Sequence, residues 1–276
     1  MNVPIGIFDS GYGGLTILDK IHKLLPEYDY VYVGDNARTP YGNRSFEVVY
    51  EFTLQAVRWL FKQNCQLVVI ACNTASAKAL RTIQQKDLPL IDPQRRVLGI
   101  IRPTVESIGQ ITQTRHIGIL GTTGTISSGS YPLEIKKIFP DIVVEGEACP
   151  MWVPLVENNE YDKPGADYFI QQHINSILTR DPLIDTLIPA CTHYPLLEKK
   201  IRSFMPESIR WVSQGKLVAE SLKDYLFRHP EMEMRCSKNA TCRFYTTESE
   251  DKFANMASSF LNGKINVERI NIENGR

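Results

Sequence analysis

Leu67-Val68-Val69-Ile70-Ala71-Cys72-Asn73-Thr74 is an apolar run that ends in a cysteine and two small polar hydrogen-bonders, with helix-compatible residues after it. A run so short and apolar, bounded by turn formers, reads as a buried strand, which places Cys72 at a strand-to-helix turn. Ala190-Cys191-Thr192-His193 has the same form. Open α/β sheets bind ligands in the crevice outside the carboxyl ends of their strands. Two thiols on two such turns would bracket one substrate, an arrangement suited to a proton leaving one face of a carbon and returning on the other.

Outward from this stretch, strand-like runs alternate with amphipathic ones: Ile5 to Phe8, Leu15 to Leu25, Tyr30 to Gly34, Phe46 to Phe61, Leu67 to Ala71 and Ala75 to Gln85. That alternation predicts βαβ units, a parallel sheet and the α/β class. Ile5-Gly6-Ile7-Phe8-Asp9-Ser10-Gly11 is similar to Ile117-Gly118-Ile119-Leu120-Gly121-Thr122, and a cysteine block follows each in the same order. The repeat implies two similar α/β lobes with parallel-rich sheets and one cleft between them; the plainer explanation is a chance likeness of two common β-turn-α units. Asp87 to Arg96, with Pro89 and Pro93, reads as a linker before a strand at Val97 to Ile101, so a lobe boundary is expected near residue 98. The tail is expected to carry a helix at Lys216 to Phe227, a polar surface loop with Cys236 and Cys242, a strand at Arg243 to Thr246, a helix at Asp251 to Leu261 and a strand at Asn266 to Ile270. Periodicity alone leaves open which lobe the tail joins.

The 276 residues include 31 basic and 31 acidic ones, and neither sign runs in a block, so nucleic acid and anionic lipid are not expected partners. An apolar fraction of 43% supports a substantial core, and no stretch approaches a membrane span. The chain enters its first strand without a targeting segment, and six scattered cysteines read as reduced thiols, which implies the cytoplasm. Cys65 and Cys149 read as structural. The sequon Asn239-Ala240-Thr241 has no role in that compartment.

Asp9-Ser10-Gly11-Tyr12-Gly13-Gly14 follows the first strand and opens a helix. Thr16 stands where a dinucleotide fingerprint wants glycine, and Asp9 would repel a pyrophosphate but suits an ammonium group. A tight turn with a helix-capping side chain is the bland alternative. Asp35 to Gly42 is a polar loop at the same sheet edge. A free thiol is mostly protonated at neutral pH, so a cysteine base needs a helix N-terminus, a cation or a proton acceptor; both cysteines are expected at helix starts, and His193 could exchange a proton with Cys191. Buried packing is the commoner fate of a cysteine. Cys72, Cys191, His193 and Asp9 are also zinc-type ligands, but no metal-binding spacing occurs, so no metal is expected.

Together these segments resemble the cofactor-independent aspartate/glutamate racemase family, and within it the glutamate racemases, which supply D-glutamate for bacterial peptidoglycan. The resemblance runs through Asp9-Ser10-Gly11 with Gly13-Gly14-Leu15, Gly34-Asp35-Asn36-Ala37-Arg38 with Pro40-Tyr41-Gly42, Ala71-Cys72-Asn73-Thr74-Ala75-Ser76, Leu120-Gly121-Thr122, Val153-Pro154-Leu155-Val156-Glu157, Cys191-Thr192-His193-Tyr194-Pro195-Leu196 and Phe244-Tyr245-Thr246-Thr247. It implies that Cys72 and Cys191 are the acid/base pair, assisted by Asp9, Glu157 and His193. It further implies that Asp9, Ser10, Tyr41, Gly42, Asn73, Thr74, Thr122, Thr125, Thr192 and His193 hold glutamate. No cofactor is implied; a homodimer is. It also implies a first lobe of residues 1–98 plus 210–276 and a second of 99–209. Ala190 stands where glycine is usual, Arg102 where an acidic residue is common, and Asp87 to Arg96 exceeds the usual linker. Activation by a peptidoglycan precursor, a trait of members with an N-terminal extension, is not expected. The alternatives are a racemase of aspartate or another acidic amino acid and a two-lobed binding protein without catalysis.

Overall fold

The computed structural model describes residues 3–258, 260–261 and 265–272. Among the described residues ten strands form two sheets whose neighbours all run parallel. The first holds β1 (Ile5–Asp9), β2 (Tyr30–Gly34), β3 (Leu67–Ile70) and β4 (Arg96–Gly99), with β9 (Cys242–Thr246) and β10 (Val267–Arg269) added beyond β2. The second holds β5 (His116–Gly121), β6 (Val143–Ala148), β7 (Thr186–Ala190) and β8 (Arg210–Trp211). Their orders contain the same unit, β2-β1-β3-β4 in one sheet and β6-β5-β7-β8 in the other. Two similar α/β lobes are therefore present.

This order positions the chemistry. Phe8 lies opposite Ile70, so the turn after β1 emerges beside the turn after β3, which bears Cys72. Gly121 lies opposite Ala190, so the Thr122 turn emerges beside Cys191.

β1, β2, β3 and β7 are buried along their whole length because helices cover both faces, which is why they read as unbroken apolar runs rather than alternating ones. Two apolar clusters sandwich the first sheet and two more the second. Each fully buried Leu or Ile in them contributes about 1.5–3 kcal/mol. The helix Phe46–Lys62 starts where expected because Ser45 caps it, accepting from Val48 N at 3.3 Å.

Some expectations need correction. The segment read as a linker is helical over Leu88–Ile91, and the expected helix from Ala75 is broken into shorter pieces, including a π-helical turn at Ile83–Asp87. Pro89 misled as a breaker: the helical backbone runs through it, directly after the π-helical turn Ile83–Asp87, where Leu88 N bonds to Ile83 O and the regular i→i−4 ladder is already interrupted. Cys236 is not on a surface loop; it is buried in the first lobe's core, and Cys242 is half-buried within β9. Arg210 and Trp211 pair with Thr186 and Leu187, so they belong to the second sheet, two residues beyond the expected boundary. Arg102 is exposed and pairs with Glu106 at 2.7 Å, away from the cleft, so its departure from the usual residue stays at the surface. Among the described residues no helix is long and apolar enough to cross a membrane.

Candidate active site

Asp9 ends β1, and the turn after it supplies Ser10. Asp9 is wholly buried; its Oδ2 accepts from Gly11 N at 2.9 Å, while Oδ1 has no partner. Burial pushes its pKa up, against the pull of the neighbouring His193 charge. An unpartnered buried carboxylate oxygen is a costly arrangement that an ammonium would relieve.

Ser10 Oγ lies 3.3 Å from Cys72 Sγ, and that sulfur caps the helix Asn73–Lys78 by accepting from Ala75 N at 3.4 Å. Burial and the charge of Asp9 push the Cys72 thiol up to about 12. In this state Cys72 keeps its proton.

The second cysteine turn differs from expectation. No α-helix opens at Cys191; the chain makes a tight turn, with Tyr194 N donating to Cys191 O at 3.2 Å, and continues as the 3₁₀ segment Tyr194–Leu197. Cys191 Sγ lies 3.8 Å from His193 Nδ1, and the far ring nitrogen lies 3.1 Å from Glu157 Oε1 at the end of the helix Trp152–Glu157. Burial alone would lower the pKa of His193, but its contacts with Cys191 and Glu157 raise it from 6.5 to about 10. An imidazolium therefore faces the Cys191 sulfur at neutral pH. Because the folded value is raised, this contribution to stability is complete below pH 6.5 and lost as pH rises through about 10. Thermal melts of the parent and His193→Gln should differ most at the acid end of that window and converge toward its alkaline end; a gap independent of pH would refute the pairing.

Hydroxyls also join the two lobes. Thr74 Oγ1 lies 2.9 Å from Thr122 Oγ1 and 3.2 Å from Thr125 Oγ1. Gly42 O accepts from Gly124 N at 2.7 Å, and a Cβ at Gly42 would lie 2.8 Å from that of Thr122, which is why the loop needs glycine there. Tyr41 turns its hydroxyl away to donate to Asp35, a buried carboxylate also held by Arg38.

Cys72 and Cys191 line one cavity of about 50 Å³, together with Ser10, Tyr41, Gly42 and Asn73. Thr74, Thr122, Thr192 and His193 also line it, with Thr39, Pro40, Val153 and Pro154 among the other lining residues; Asp9, Glu157 and Thr125 do not line it. No group of three or more metal-ligating side chains occurs among the described residues.

The sequence pattern of the Asp/Glu/Hydantoin racemase family matches residues 5–220. The chain belongs to that family. The glutamate racemase of Shouchella clausii (strain KSM-K16) is 40% identical over 263 residues, covering 95% of this chain and 91% of its own. The fold superposes on glutamate racemase isoform RacE1 of Bacillus anthracis with a TM-score of 0.88 at 33% identity, over 98% of this chain and 97% of that one. It superposes equally well, with a TM-score of 0.88 at 30% identity and 99% coverage of both chains, on the Francisella tularensis glutamate racemase solved in complex with D-glutamate. This member of the racemase family is thus an isomerase.

Sequence reading missed two members of the site. The Asn73 side chain does not point freely into the cavity: its Oδ1 accepts from Tyr131 OH at 2.7 Å, and its Nδ2 donates to Gln214 Oε1 at 2.8 Å. One signal was available. Gln214 lies four residues before Val218 and eight before Leu222, on the buried stripe of its helix, where a glutamine must find polar partners.

Proposed function

We propose that the protein interconverts L- and D-glutamate without a cofactor, using Cys72 and Cys191 as two bases, and so supplies D-glutamate for peptidoglycan. What carries this reading is the placement of both sulfurs, from equivalent turns of duplicated lobes, on the wall of one narrow cavity. Glutamate racemases similar over nearly the full chain support the substrate. The buried carboxylate of Asp9, whose charge reaches Cys72 on the cavity wall, attracts the substrate ammonium, and the threonine hydroxyls serve its carboxylates. The sulfur on one side takes the α-proton while the opposite thiol delivers its own, so each turnover exchanges the protonation states of the two cysteines. Cys72 begins as the thiol and Cys191 as the partner of the His193 imidazolium. Fixed hydroxyls and exclusion of water stabilise the carbanion-like transition state.

The deciding experiment is incubation with L-glutamate in deuterated water and no added cofactor. Deuterium at the α-carbon together with D-glutamate is expected. Binding without exchange would leave a receptor rather than an enzyme, and faster turnover of aspartate would move the substrate to the shorter acid. A homodimer is part of the same proposal; light scattering that gives the mass of a single chain at working concentration would remove it.

A further inference from the structure

Gln214 sits where the chain crosses back from the second lobe to the first. β8 precedes it, and the helix that it opens, Gln214–Arg228, packs on the helix Leu15–Leu24 and into the first lobe's core. The outward crossing lies beside it, since Ile100 follows β4 and precedes the helix Ile101–Ile111. Gln214 Nε2 lies 3.4 Å from Ile100 O, 3.1 Å from Thr104 Oγ1 and 2.7 Å from Tyr131 OH. The same amide meets that of Asn73 edge to edge, with Oε1 accepting at 2.8 Å and Nε2 at 3.2 Å from Asn73 Oδ1. All of these groups are buried. Asn73 directly follows Cys72, whose sulfur caps the helix that Asn73 begins.

We propose that Gln214 is a positioning residue: it pins both interlobe crossings to the Cys72 turn, so that the sulfur is set at its working position only when the lobes stand at their closed angle. This rests on the two-base reading given above. A change of lobe angle moves Tyr131 and Thr104 relative to Asn73, and the glutamine amide is in contact with all three. Buried amide networks fully satisfied in one geometry resist others, because each broken bond leaves a dry polar group. Coupling between cleft closure and thiol placement follows. Misplacement of a reacting group by about 1 Å costs on the order of 10²-fold in rate, so a single amide has leverage over turnover without touching substrate.

The test is steady-state racemisation in both directions with Gln214→Met, Tyr131→Phe and the double variant, each corrected for folded fraction, using protonated and α-deuterated glutamate. Gln214→Met is expected to lower kcat by about 10- to 100-fold with a smaller change in KM, and to raise the deuterium effect in the direction in which Cys72 abstracts. Tyr131→Phe, which keeps the packing, should lower kcat less, and the double variant should lose less than the product of the two singles, as members of one network do. Full kcat in folded Gln214→Met, or a loss seen only as a lower melting temperature, would overturn the positioning role while the racemase reading stands. Absence of turnover in the parent chain would overturn both.

Discussion

Cys72→Ala and Cys191→Ala should each lower racemisation by about 10²–10⁴-fold in both directions, the range that a positioned acid or base commonly supplies. On the two-base proposal the loss is symmetric, because neither direction runs on a single sulfur: the proton taken on one side is replaced on the other. Folding is not expected to confound the result. Cys72→Ala removes the cap on Ala75 N, at a cost of about 0.5–2 kcal/mol, and Cys191→Ala leaves His193 still paired with Glu157 at 3.1 Å. Far-UV circular dichroism and a melting curve establish the folded fraction, and chiral chromatography measures the two rates. Substantial racemisation by either folded variant would leave the two-base assignment untenable. Loss of turnover in Cys72→Ala alone would point to a single-sulfur exchange in which Cys191 only packs against His193.

The architecture was legible because its determinants are local. Strands such as Tyr30–Gly34 and Leu67–Ile70 are buried on both faces and so are apolar throughout, and each ends in a polar turn that cannot be buried without partners. The duplicated order of polar turn and cysteine turn survives in the sequence because each lobe repeats one topology, and the turns that bear Asp9, Ser10, Cys72, Thr122 and Cys191 follow directly from strand ends. What sequence did not disclose depends on distance along the chain. Tyr131 lies 58 residues from Asn73, and Gln214 lies 141 from it; nothing local in either segment announces the other. Cys236 was misplaced for a similar reason. Its neighbours in sequence are polar, but a bridge between Cys236 and Val3 draws it under the first sheet. Pro89 shows the opposite failure, a strong local signal that the structure overrides, since the helical backbone carries on through it after the π-helical turn Ile83–Asp87.

Gly13→Ala should cost on the order of 10²-fold or more in turnover although residue 13 makes no bond to substrate in the proposed chemistry. A Cβ there would lie 2.6 Å from His193 Nδ1 and closer still to Thr192 Oγ1. Neither neighbour can step aside cheaply. His193 is held between Cys191 Sγ at 3.8 Å and Glu157 Oε1 at 3.1 Å, and the Thr192 carbonyl accepts from Thr16 Oγ1 at 3.1 Å, across the seam between the lobes. The added methyl must therefore push the second cysteine turn away from the first or hold the lobes apart, and either movement separates the two sulfurs. Gly165→Ala provides the matched control: a Cβ there meets nothing within 4 Å and lies in the first turn of the helix Pro164–Arg180, so turnover should be unchanged and stability equal or slightly higher. If folded Gly13→Ala keeps its rate while Gly165→Ala behaves as stated, the seam at Thr192 and His193 yields without moving Cys191. The close approach of the lobes would then have no part in placing the thiols.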